Sequence, residues 1–300
     1  MDGRITKKWR EDGYVVLPRF YSDEEIDAAE AALTRAWRDP LSRVVVDDLN
    51  VDQRLRIRDV DPAAREAHRF KVNDLYLEYP EVRRLALNAK LTPTLKALLE
   101  NTPVLCNSLS YAHGSGQGDH VDSLYMTPRS HGHLLAIWVA LEDCDMDAGP
   151  LRYYPGSHAI EQYVFSNGGT HAVNEEMPAW SAYMDEQVRQ RGLKPEIFAA
   201  KRGDVFIWNA YLLHGGSPIL SPGKTRKSIV FHYFSEEDSR ALGLQLVPDS
   251  GGYWMHRAHQ PVPGKGESEA PPLSLRQELE IRVRRKLHRL VGARRRPVQG

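Results

Sequence analysis

Leu134-Leu135-Ala136-Ile137-Trp138-Val139-Ala140-Leu141 is an apolar run without a break. Its length and its polar flanks predict a buried strand. Working outward, Val104-Leu105-Cys106-Asn107-Ser108-Leu109-Ser110-Tyr111 reads as another strand, and Gly114 to Asp119 as the turn that follows it. Asp147-Ala148-Gly149-Pro150 turns, Leu151-Arg152-Tyr153-Tyr154 extends, and Pro155-Gly156-Ser157-His158 turns again. Arg202-Gly203-Asp204 turns into Val205-Phe206-Ile207-Trp208, and Ile229-Val230-Phe231 marks a further strand. Short strands punctuated by turns predict a mainly β sandwich or barrel, and the jelly roll is one such solution. At the open end of a jelly roll, residues distant in sequence meet.

That geometry gives meaning to four residues. His120 and Asp122 flank Val121, His214 lies 92 positions beyond Asp122, and Arg226 follows twelve positions later. The His-x-acid pair alone is weak: 12 His and 40 acidic residues in 300 give about 1.6 such pairs by chance. Its bland reading is a turn Asp beside a surface His. On a strand, however, residues i and i+2 face the same way. His120 and Asp122 therefore reach one metal if the backbone between them is extended, which β-branched Val121 allows. Two imidazoles and a carboxylate hold one face of an octahedral Fe(II) and leave three positions open. A fixed guanidinium nearby grips a carboxylate with paired hydrogen bonds. Metal and clamp together suggest an iron oxygenase with a keto-acid co-substrate.

At this point the chain resembles the phytanoyl-CoA dioxygenase-like family of Fe(II)- and 2-oxoglutarate-dependent oxygenases, over most of residues 10–236. The likeness begins at Asp12-Gly13-Tyr14-Val15-Val16-Leu17-Pro18 and the helix from Ser22. It continues through His120-Val121-Asp122, Trp138, Gly149-Pro150-Leu151 and Pro155-Gly156-Ser157-His158, and ends with Gly203-Asp204, His214-Gly215 and Arg226. It implies a double-stranded β-helix, cupin-like, with flanking helices on one side. It implies His120, Asp122 and His214 as iron ligands and Arg226 as partner of the far carboxylate of 2-oxoglutarate. Ser228, two positions on, is implied as a second donor, and Trp138 and Asn107 as further co-substrate contacts. With O2, the expected reaction hydroxylates a small-molecule or biosynthetic intermediate and converts 2-oxoglutarate to succinate and CO2. The same cofactors also serve desaturation, cyclisation or epimerisation, and a non-catalytic jelly-roll binding protein is the reading from another class. Asp122 argues for oxygenation over halogenation, because related halogenases lack this carboxylate. Two departures stand out. The His214-to-Arg226 spacing is one residue longer than is common, with the loop 218–223 expected to absorb it. Gly216 stands where some relatives carry a co-substrate-binding Ser, a contact Ser228 is expected to supply if anything does.

The remaining residues have plainer readings. His131 and His133 are expected on the solvent face beside the apolar strand, or else in contact with substrate. His232 faces either the barrel mouth or the core, and His158 is expected to stabilise its own turn. Tyr125 and Met126 line the substrate pocket or cover the core. Ser22 and Glu25 form a capping box ahead of Ile26, Ala29, Leu33 and Trp37. Pro80 and Pro93 read as helix-start prolines. Residues 41–79 are charged and have no assignment. The stretch 163–200 is an insert that reads as a lid or as a helical decoration.

The chain is organised as a catalytic domain over 1–260, a linker over 261–274 with four prolines, and a basic amphipathic tail over 275–300. The tail holds nine Arg or Lys against two Glu. It is expected to dock on the acidic body or to be a solvated terminal helix, or else to touch an acidic partner or a membrane surface through 275–296. No nucleic-acid module is evident. Cys106 and Cys144 read as buried free thiols. With no signal peptide and no spanning segment evident, the cytoplasm is the expected location.

Overall fold

The computed structural model describes residues 3–221 and 223–283. The first half supplies α1 (Gly3–Asp12), β1 (Tyr14–Leu17), α2 (Asp23–Arg38), β2 (Val45–Asp48), β3 (Gln53–Arg56), α3 (Pro62–Ala67), β4 (Phe70–Asn73), α4 (Pro80–Ala86), α5 (Thr92–Leu99), β5 (Pro103–Tyr111) and β6 (Leu134–Ala140). The second half supplies β7 (Leu151–Tyr153), α6 (Met177–Arg191), β8 (Glu196–Phe198), β9 (Val205–Asn209), β10 (His214–Gly216), β11 (Ser228–Ser235), α7 (Glu236–Ala241), β12 (Leu246–Asp249) and β13 (Gly252–Met255).

Local chemistry sets the helix starts. Ser22 Oγ accepts from Glu25 N while Glu25 Oε2 accepts from Ser22 N, so the capping box is formed. Pro80 and Pro93 lie in the first turns of α4 and α5, where a missing N–H costs nothing.

The strands make two sheets. The larger runs β1-β9-β6-β11-β5-β4-β2-β3, with β13 also on β5 and β12 on β13; the smaller runs β10-β7-β8. The jelly-roll expectation is met. The apolar run is unbroken because β6 is central and covered on both faces. Leu135, Ile137 and Val139 pack under α2, α4 and α5, against Ile26, Leu85 and Leu95. Ala136, Trp138 and Ala140 face the barrel interior with Tyr153, Phe206 and Trp208. The charged segment 41–79 proves to hold the hairpin β2–β3 and the strand β4, which extend the large sheet beyond β5 in the order β4-β2-β3.

The insert 163–200 is anchored by α6. Trp180 and Met184 are buried against Val121 and Leu124, so α6 braces the loop that follows His120. In the tail, Ser274 and Gln277 cap a helical start over 275–283, and Ile281 packs into the helix-side core. Leu275, Leu279 and Val283, three positions of the expected stripe, are exposed. The rest of that stripe and the basic cluster from Arg284 lie outside the described residues. Among the described residues no helix is long and apolar enough to cross a membrane.

Candidate metal centre

The site is built on a backbone ladder. His120 N–H donates to His214 O at 2.8 Å, and His214 N–H returns the bond to His120 O at 3.0 Å. This bridge puts the two imidazoles side by side, with ring centroids 4.4 Å apart. Val121 is extended (φ −119°, ψ 141°), so Asp122 points the same way as His120. The three buried side chains can place ligand atoms within 4.8 Å of one another.

Hydrogen bonding fixes which atoms face the centre. His120 Nδ1 bonds Gly118 O and His214 Nδ1 bonds Leu212 O, each at 2.9 Å. A carbonyl only accepts, so both Nδ1 atoms carry the proton. Both Nε2 lone pairs then point inward, each Nε2 being 3.7 Å from Asp122 Oδ1. Burial first, and His214 second, hold the His120 imidazole down to about 4. It is therefore neutral and able to ligate at pH 7. Burial alone would raise the Asp122 carboxyl, but His214 and His232 hold it below the usual carboxylate range. Two imidazole nitrogens and one carboxylate, convergent and buried, suit a divalent first-row metal.

Beside the triad lies a cavity of about 60 Å³, bounded by Tyr111, Ser115, Trp138, Leu151, Arg226 and Val230. Arg226 sits just ahead of β11 instead of within it; its N–H donates to Ala112 O at 2.8 Å. Its side chain is buried, with the guanidinium 5.7 Å from the Trp138 ring. Arg226 Nη1 donates to Gly149 O at 2.9 Å, but Nε has no partner among the described residues. Trp138 Nε1 and Ser228 Oγ are likewise buried without partners. A buried guanidinium without a counter-charge is expensive unless an anion joins it. The cluster of unmatched donors thus fits a small dianion such as 2-oxoglutarate. Ser228 shares the β11 face of Val230 and His232 but does not line the cavity.

A wider vestibule of about 720 Å³ opens outside the triad. Asn107, Tyr125, Met126, His232 and Arg257 are among its walls. Asn107 therefore stands in the vestibule, bound to His232 and Asp74, and not beside Arg226. Tyr125 is half exposed at this wall, as a substrate-facing residue would be. No residue of the insert lines either space.

Three other histidines make structural contacts. His131 and His133 lie in the turn before β6, not on its face. His131 stacks on Tyr211 at 4.5 Å, and His133 bonds Asp238 and Ser235. His158 does not brace its own turn; its Nε2 bonds Arg10 O and ties down α1. Cys106 and Cys144 are buried free thiols, and burial pushes the Cys106 thiol up to about 12. Sequence reasoning missed Trp208, which donates to Asp122, and Ser115, which lines the cavity. Trp208 reads as one more apolar strand residue, and Ser115 as one more turn residue, so no sequence signal marks either.

The phytanoyl-CoA dioxygenase (PhyH) family pattern matches residues 9–228. A phytanoyl-CoA dioxygenase domain-containing protein 1 homolog of Caenorhabditis elegans is 22% identical over 184 residues, covering 51% of this chain and 64% of the relative. The Bos taurus protein of that name is 25% identical over 201 residues, covering 65% and 61%. The chain thus spans under two thirds of the length of these relatives. Among solved structures, the non-heme alpha ketoglutarate dependent carbocyclase SnoK from nogalamycin biosynthesis gives a TM-score of 0.57 at 17% identity, over 84% of this chain and 93% of that one. EctD from S. alaskensis, solved with bound Fe, gives 0.56 at 18% identity, over 79% and 78%. At these identities the structural likeness speaks for the fold. The family pattern covers most of the chain and includes every residue of the metal triad, and the chain belongs to the phytanoyl-CoA dioxygenase (PhyH) family.

Proposed function

We propose that the protein is an Fe(II)- and 2-oxoglutarate-dependent dioxygenase that hydroxylates a small molecule. One observation carries the reading: a convergent His120–Asp122–His214 triad shares a cavity with the buried Arg226, whose Nε has no partner among the described residues. When bound, iron with 2-oxoglutarate activates dioxygen, one oxygen atom ending in succinate and the other in the substrate, with release of CO2.

The chain's own residues do the positioning. His120 and His214 present Nε2 lone pairs, and Asp122 presents Oδ1, leaving three metal positions to co-substrate and dioxygen. Arg226 takes the far carboxylate, and the neighbouring Trp138 N–H supplies a second donor. The apolar walls Leu151 and Val230 keep bulk water from the clamp, which strengthens its charge pairing. The vestibule admits the substrate past Tyr125 and Met126. A reducing compartment such as the cytoplasm suits both Fe(II) and the two buried thiols. Solved relatives named as a carbocyclase and an epimerase share this fold, so cyclisation and epimerisation form the second reading. A gained oxygen, a lost pair of hydrogens or an unchanged mass in the product separates these outcomes.

The test is an anaerobic titration of metal-free protein with Fe(II) and 2-oxoglutarate, following the visible charge-transfer band of the chelate. The band is expected to need both components and to vanish in Asp122→Ala. Arg226→Ala is expected to need at least about 30-fold more 2-oxoglutarate, the lower end of the cost of losing one partner of a buried charge pair. A folded, iron-loaded wild type without the band would reject the reading in favour of a binding protein.

A further inference from the structure

The two oxygens of Asp122 live in different surroundings. Oδ1 faces His120 Nε2 and His214 Nε2. Oδ2 accepts from Trp208 Nε1 at 2.8 Å and lies 3.5 Å from His232 Nε2. Trp208 and His232 are both buried. An indole N–H is a donor only, so it competes for a carboxylate oxygen and never binds the metal itself.

His232 is itself held in place. Asp74 is fully buried and paired with Arg257 at 2.8 Å. Its Oδ1 accepts from Asn107 Nδ2 at 3.1 Å and from Ser108 N–H at 3.2 Å. A carboxylate only accepts, so the Asn107 amide nitrogen must face Asp74 and its oxygen must face His232. His232 Nδ1, 3.0 Å from that oxygen, is then the donor. The ring cannot swing away from Asp122 without breaking this chain of bonds.

We propose that Trp208 and His232 are positioning residues that keep Asp122 a one-oxygen metal ligand: the Trp208 N–H occupies its second oxygen, and the fixed His232 ring walls that oxygen in. The inference rests on the metal centre proposed above. A carboxylate free to rotate binds a metal through either one oxygen or two. Two-oxygen binding would fill one of the three positions that the co-substrate and dioxygen need. The Trp208 N–H engages Oδ2 in a buried setting, where such a bond is strong. The Arg257–Asp74–Asn107 chain holds the second wall, so the restraint reaches back to the vestibule.

The probe is Co(II), whose visible bands report coordination number, titrated into metal-free wild type, Trp208→Phe and His232→Leu. Trp208→Phe keeps an aromatic ring but removes the N–H. It is expected to weaken Co(II) binding about 10- to 100-fold, the usual cost of losing a residue that orients a ligand. Its visible spectrum is expected to change as well. His232→Leu is expected to change both in the same direction by less. Thermal unfolding without metal separates a packing role, which would lower the midpoint but leave the spectrum alone. Wild-type affinity and spectrum in a folded Trp208→Phe would overturn the inference while leaving the metal centre standing. Should Trp208→Phe not fold, His232→Leu and Asn107→Leu decide by the same readout, and wild-type behaviour in both overturns it. Failure of wild type to bind Co(II) would reject the metal centre itself.

Discussion

A methyl group on Gly216 would stand 2.9 Å from Ser115 Oγ and 3.1 Å from Gly116 N. The space that a serine at 216 would need is therefore taken by the hydroxyl of Ser115, on the loop that precedes His120. Ser115 lines the same cavity as Arg226 and Trp138, so a hydroxyl still faces that cavity, from another strand connection. Ser228, expected from sequence to make good this contact, is buried on the same face as Val230 but outside the cavity wall. Gly216→Ser is thus expected to weaken 2-oxoglutarate binding, and adding Ser115→Ala to recover part of the loss. A double-mutant cycle on the co-substrate dissociation constant checks this, with a coupling of about 0.5–3 kcal/mol for side chains in contact. Two independent losses that simply add would reject it.

At the scale of elements, Glu78 joins three parts of the chain. It sits between β4 and α4, its carboxylate taken by Arg43 Nε at 2.9 Å and by His259 Nε2 at 2.9 Å. Burial would raise this carboxyl, but His259 and Arg43 lower it to about 2 from 4.5. A lowered folded-state value means the stabilisation is present above about pH 4.5 and is lost as pH falls toward 2. Glu78→Gln is expected to have a lower melting temperature at pH 7 and a shallower loss of stability across that window. An unchanged pH slope in thermal melts would reject the clamp. Neither Arg43 nor His259 is near Glu78 in sequence, which is why 41–79 had no assignment. There Asp47, Arg54 and Lys71 alternate with apolar residues because one face of β2–β4 is wet, and their ion pairs form only across strands. By contrast β5, β6 and the capping box were legible, since periodicity and local chemistry decide them. The triad was legible from residue types and one strand rule. What stayed hidden, Trp208 on Asp122 and Asn107 on His232, depends on register between strands far apart in sequence.

At the scale of the whole molecule, one sheet separates two cores. The helix-side core holds Leu95 and Ile137, while the barrel side holds Trp138 and Trp208 beside the His120–Asp122–His214 triad. A third cluster joins Trp180 of α6 to Val121 and Leu124 in the metal-bearing loop. Trp180→Ala is expected to cost about 3–5 kcal/mol of stability and also to weaken Co(II) binding, because the loop loses its backing. Leu95→Ala is expected to cost about 2–5 kcal/mol with Co(II) affinity unchanged. Chemical denaturation paired with metal titration checks the contrast, and equal metal loss in both variants would reject it. The ladder between His120 and His214 has a consequence for turnover in the cell. Its two backbone bonds do not depend on what the side chains hold. A protein that loses its ion keeps the pair of imidazoles in register, so recharging asks for no refolding.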